Sequence, residues 1–270
     1  MKIDRTKNAG RNIVFGCMLK IYQIVMPFIM RTLMIYYMGI QYLGLNSLFT
    51  SILQVLNLAE LGVGSAMVYS MYKPIAVDDK KMICALMKLY RTYYRVIGII
   101  IAFLGLCLVP FIPKLIKSDV PADINIYVLY ILNLSVTVLS YWLFAYKNCL
   151  LDAHQRTDVA SKVTLVTNTL QYIVQFFTLC ILKNYYAYII VSLAAQALTN
   201  ILTAVVATRM YPDYRPDGNL SKEVISGINR RIRDLFTSKL GVVVVNSADT
   251  IVISCLLYTS PSPRDPKTSR

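Results

Sequence analysis

The sequence is poor in the groups on which enzymes and metal sites are built. Its 270 residues include one histidine, His154, and 14 acidic side chains against 28 basic ones. A single imidazole in a polar loop reads as a solvated residue, not as a ligand or a base. The six cysteines (Cys17, Cys84, Cys107, Cys149, Cys180 and Cys255) contain no C-x-x-C pair, and most fall inside apolar runs. That is the setting of small buried hydrophobes, not of a zinc site or a disulfide frame. No Walker motif, glycine-rich phosphate loop, metal-ligand spacing or nucleophile elbow occurs, so no cofactor is expected and the chain does not read as an enzyme. The first apolar stretch does not read as a cleavable signal peptide. It is too long, carries Lys20 and Arg31, and lacks a small-residue cleavage site.

The shortage of acid leaves a formal net charge of +14. In a soluble protein that would point to nucleic acid. Here the Lys and Arg residues sit in short loops beside apolar stretches, so anionic lipid headgroups account for them and no nucleic-acid partner is expected.

What the chain does have is apolar surface. Hydrophobic residues make up 56% of it, with a mean hydropathy of +0.53. Apolar runs cover roughly 13–38, 42–70, 83–116, 124–147, 161–182 and 185–208, and a seventh runs from near 232 to about Leu257. Each is long enough to cross a bilayer, and helices are the only open-ended spans whose backbone satisfies itself in lipid. The expectation is an all-α, polytopic membrane helical bundle. Residues 1–210 form a six-helix lobe and 211–231 a linker marked by Pro212, Pro216 and Gly218. Residues 232–255 start a seventh helix. From about Leu256 the text turns abruptly to a Pro/Ser/Arg string that resembles translated adapter read-through, so 256–270 read as a non-native tail. Alternate gaps are basic. Nineteen Lys and Arg residues fall on one side and three (Lys114, Lys117, Lys183) on the other, which predicts a cytoplasmic N-terminus.

Polar side chains recur at helical spacing inside these runs. Ser47, Thr50, Ser51, Gln54 and Asn57 share one face of the second. Asn133, Thr137 and Ser140 recur in the fourth. Thr164, Thr167, Asn168, Gln171, Gln175 and Thr178 recur in the fifth, and Ser192, Gln196, Thr199, Asn200 and Thr203 in the sixth. One such stripe reads as helix–helix glue. Four stripes bearing amides point to a shared wet cavity suited to a hydroxyl-rich ligand. Lys20 and Arg31 lie eleven residues apart, about 16 Å along one face of the first helix. They are candidates for an anion-binding line, with snorkelling to the surface as the alternative. Glu60 and Asp249 are carboxylates deep within spans. Each is a candidate for proton or Na⁺ coupling, or else a partner for Lys20 or Arg31 in the first case and Lys239 in the second.

Arg31-Thr32-Leu33 leads into Gly39-Ile40-Gln41-Tyr42-Leu43-Gly44-Leu45-Asn46-Ser47-Leu48-Phe49. Leu58-Ala59-Glu60-Leu61-Gly62-Val63-Gly64-Ser65-Ala66 and Tyr72-Lys73-Pro74-Ile75-Ala76 follow. Together these resemble the N-terminal part of bacterial polysaccharide-biosynthesis flippases of the multidrug/oligosaccharidyl-lipid/polysaccharide exporter superfamily. Asn246-Ser247-Ala248-Asp249-Thr250 is similar to the start of their seventh helix. The resemblance implies a MATE-like two-lobe transporter in the bacterial inner membrane, of which this chain holds one lobe. It also implies alternating access, with an undecaprenyl-pyrophosphate-linked oligosaccharide as substrate. The pyrophosphate would lie near Arg31 and Lys20, and the sugars against Gln54, Asn57, Gln171, Gln175, Gln196 and Asn200. A polymerase and glycosyltransferases would be functional partners. The rivals are a cation-coupled multidrug exporter with a more aromatic cavity, a membrane-embedded polymerase or ligase, and a non-transporting scaffold.

Overall fold

The computed structural model describes residues 5–60, 62–116, 121 and 123–259, with side chains as far as 241 apart from those of residues 5, 7, 59 and 115. Among these residues the structure is all-helical. Helix α1 runs Arg5–Tyr37, α2 Ile40–Leu56, α3 Val63–Ala76, α4 Lys80–Leu108, α5 Ile112–Leu115 and α6 Ile126–Trp142. Then follow α7 Tyr146–Ala153, α8 Thr157–Phe177, α9 Tyr185–Met210 and α10 Lys222–Thr259. Among the described residues, four helical stretches are long and apolar enough to cross a membrane: Asn8–Tyr37, Lys80–Lys114, Thr157–Leu182 and Tyr185–Met210. A fifth is added if α6 and α7, bent by 51° at their junction, count as one. Their outer faces are apolar: Ile24 and Phe28 on α1 are each 72% exposed. Such surfaces suit lipid, not water.

The run expected as one span over 42–70 is broken. Helix α2 ends at Leu56, a 3₁₀ turn covers Asn57–Glu60, and α3 restarts after Gly62. Gly62 sits at φ 94°, a backbone setting that side chains resist. A Cβ there would lie 2.9 Å from Ile232 O and Phe236 N of α10. The break therefore rests on a glycine that both turns the chain and admits a neighbouring helix. The run 124–147 is bent in the same way, with Phe144 at φ 56° in the hinge. The second half of the expected linker is not a loop, because α10 starts at Lys222, about ten residues before the expected helix.

The core lies where α2, α3, α4, α6 and α7 meet, with Phe49, Met67, Met71, Leu86, Leu129 and Leu150 fully buried. Helices α4 and α6 approach closely at Gly105, where an added Cβ would fall 2.5 Å from Leu134. The basic loops gather at one end. Asn12 Nδ2 donates to Gln155 O at 3.0 Å, and Lys80 Nζ meets Asp213 Oδ2 at 2.6 Å. At the other end Tyr42 donates to Asp123 (2.8 Å to Oδ1), and Tyr185 to Asn46 Oδ1 at 3.2 Å.

His154 departs from its expected place. It is 4% exposed, and its ring lies 4.3 Å from that of Tyr211 and 5.6 Å from that of Tyr214. Its Nδ1 is 2.8 Å from Leu150 O. The linker's two tyrosines cover the imidazole, and this burial pushes its pKa below the usual value.

Candidate functional site: two polar cavities joined at Asn57

The stripe on α2 is built by local spacing, and it opens onto two cavities. The smaller, about 350 Å³, is lined by Arg31 of α1, Asn46, Thr50 and Gln54 of α2, and Asn57. Asn133 and Thr137 of α6, Gln171 and Gln175 of α8, and Ser192 of α9 complete its polar wall. The larger, about 920 Å³, is lined by Asn57 again, with Glu60, Ser65, Tyr69, Tyr72, Tyr90, Tyr94, Tyr141, Gln196, Asn200 and Lys239 among others. Asn57 lies at the break after α2, so the kink that interrupts the helix also places one amide on both cavities.

The candidates divide. Gln54 is exposed on the smaller cavity. Gln175 is 1% exposed, and its amide donates to Ser192 Oγ at 2.7 Å and Tyr188 O at 3.2 Å. It ties α8 to α9, as does the 2.7 Å bond from Thr199 to Thr167. Asn200 donates to Ser140 O at 3.2 Å and accepts from Gln196 at 3.2 Å, joining α9 to α6. So the stripes divide: their buried members tie helices together, and Gln54, Asn57 and Gln196 line the cavities. The anion-binding line is not assembled. Arg31 lines the smaller cavity, while Lys20 is exposed on α1 and lines neither. Eleven residues is a near-integral number of turns, but only the Arg31 end of that face lines a cavity.

Glu60 pairs with neither Lys20 nor Arg31. Tyr94 donates to its Oε1, and the Tyr141 hydroxyl lies 2.9 Å from its Oε2. The same Tyr141 hydroxyl lies 3.1 Å from Asn57 Oδ1. One hydroxyl carries one proton, so it cannot serve both acceptors. Turning the Asn57 amide over resolves the count: its Nδ2–H donates to the Tyr141 oxygen, and Tyr141 donates to Glu60. Among the described residues Glu60 makes no ion pair. Lys239, at the cavity edge, donates to Ser65 Oγ at 3.1 Å. Asp249 lies outside the side chains described.

Sequence reading missed Tyr90, Tyr94 and Tyr141, because tyrosine counts as apolar within a hydrophobic run. The i, i+4 spacing of Tyr90 and Tyr94 in the amphipathic start of α4 was the available signal. No family model, no curated protein and no solved structure matches this chain.

Proposed function

We propose that this chain is the first lobe, with the start of the second, of a MATE-like two-lobe carrier that flips a lipid-linked oligosaccharide across the bacterial inner membrane. The observation that carries this reading is the pair of amide- and hydroxyl-lined cavities meeting at Asn57 inside an otherwise apolar bundle. Amides and hydroxyls exchange hydrogen bonds with sugar hydroxyls at little net cost, whereas a hydrocarbon ligand would strand them. Arg31, on the smaller cavity, offers a planar donor fork for a pyrophosphate oxygen. Glu60, a carboxyl group held between two tyrosines inside the bundle, is the candidate coupling group. The basic end of the bundle would face the cytoplasm, with the N-terminus inside, and a polymerase and glycosyltransferases would act beside the carrier.

Expression of the Arg31→Ala variant of the whole protein in its host tests this. Surface polysaccharide should fall sharply at unchanged protein level. Undiminished polysaccharide would remove Arg31 from the site.

One observation favours a second reading, the cation-coupled multidrug exporter. Five tyrosines line the larger cavity together with Glu60, a setting that also suits an aromatic cation. A change in drug resistance on deletion, with polysaccharide intact, would select it.

A further inference from the structure

Asp158, in the first turn of α8, has a fully buried side chain. Three cations surround it. Arg156 Nε lies 2.9 Å from Oδ1, Lys162 Nζ 3.5 Å from Oδ2, and Arg11 Nε 3.8 Å from Oδ2. Arg11 Nε and Asp158 Oδ2 are buried without a hydrogen-bond partner among the described residues, so this contact is loose. Asn12 holds the cluster in place, because its Oδ1 accepts from the Asp158 backbone N–H at 2.9 Å. One carboxylate neutralises one cation, which leaves two positive charges at the mouth of the groove between α1 and α8. The candidate membrane spans of these helices begin at Asn8 and Thr157, so the cluster sits where both enter the bilayer.

The groove continues as an apolar track. Arg11, Phe15 and Met18 follow one face of α1, and Lys162, Val166 and Thr169 one face of α8. Met18 is 56% exposed and Val166 67%. Lys162 Nζ stands 4.2 Å over the Phe15 ring, so the ammonium lies directly above the start of the track. Tyr22 donates to Thr169 Oγ1 at 2.9 Å and closes the groove further along. A surplus of cations above an exposed hydrocarbon track fits an amphiphile with an anionic head.

We infer that the α1–α8 groove holds an anionic phospholipid, its headgroup phosphate on Arg11, Arg156 and Lys162 and an acyl chain along Met18 and Val166. This reading does not depend on the carrier proposal and stands apart from both cavities. Asp158 then acts as the organiser that holds three like charges together when the site is empty.

The test is native mass spectrometry of the whole chain, released from bilayer discs of phosphatidylcholine with a minor share of phosphatidylglycerol. Phosphatidylglycerol should be retained in preference. Lys162→Gln should weaken that retention about five-fold, the effect of one basic residue near a membrane surface, and Lys162→Arg should restore it. Asp158→Asn should strengthen it, because the surplus rises from two charges to three. Equal retention of both lipids, or no difference between Lys162→Gln and wild type, would overturn the proposal. Inorganic phosphate bound in its place in discs of phosphatidylcholine alone would overturn it too, assigning the cluster to a free anion. If Asp158→Asn does not fold, the Lys162 pair decides. Proteins unfolding at the same temperature exclude a merely structural effect.

Discussion

The Tyr141 hydroxyl lies 2.9 Å from Glu60 Oε2, across 81 residues of sequence. This contact, with that of Tyr94 on the other oxygen, makes Glu60 a carboxyl held by hydroxyls rather than by a cation. Both hydroxyls can donate to it. Glu60→Gln keeps both contacts, since its oxygen accepts from Tyr94 while its amide donates to the Tyr141 oxygen. It should leave thermal stability within about 1 kcal/mol of wild type. Glu60→Ala strands two tyrosine hydroxyls and should cost about 2 kcal/mol or more. If Gln costs as much as Ala, the charge of Glu60, and not its hydrogen bonds alone, holds the two tyrosines.

The division of the amide stripes is open to labelling. Single cysteines at Gln54 and Gln196 should react with a water-soluble maleimide, since both positions meet open cavity. A cysteine at Gln175 should stay protected, because that side chain is 1% exposed. Protection at all three would leave a tightly knit bundle with no path for a polar head group.

Gly62 holds α3 against α10. In Gly62→Ala the new methyl would meet Ile232 O and Phe236 N at 2.9 Å with the backbone at φ 94°. Strain and clash together should cost about 1–3 kcal/mol. The loss should appear as faster hydrogen exchange over 226–239, with 83–101 of α4 unchanged. Unaltered exchange in α10 would mean that the close approach contributes nothing to its docking.

His154 gives stability a pH dependence. Its pKa is pushed down chiefly by burial beneath Tyr211 and Tyr214. Above the unfolded value of about 6.5 both states are neutral and the full stability is present. As pH falls below that value the unfolded chain takes up a proton that the folded chain resists, so stability declines toward the lowered folded pKa. Melting temperature should therefore drop between about pH 7.5 and pH 5.5, and His154→Phe should flatten that drop by keeping the ring stack without the proton. An equally steep fall in the variant would assign the effect to other groups.

Several features were legible without a structure. The four longest spans lie where apolar runs predict them, and the basic loops do gather at one end. Of the α2 stripe, Thr50, Gln54 and Asn57 line the two cavities described, and Ser47 and Ser51 line neither. The helix break at Asn57–Gly62 was not legible, because hydropathy averages across the Glu and Gly residues that make it. Lys20 looked equivalent to Arg31 on periodicity alone, yet α1 has cavity on one part of that face and open surface on another.

The amino-acid order by itself determined helicity, the apolar lengths and the placing of charge. Each of these depends on a residue and its near neighbours along the chain. Which amides are sealed as glue and which stay wet was decided only by tertiary packing. So was the replacement of a cation by two tyrosines beside Glu60, and the burial of His154 and Asp158. Those outcomes depend on side chains that distant helices bring together, and pairings of that kind leave no mark in local periodicity.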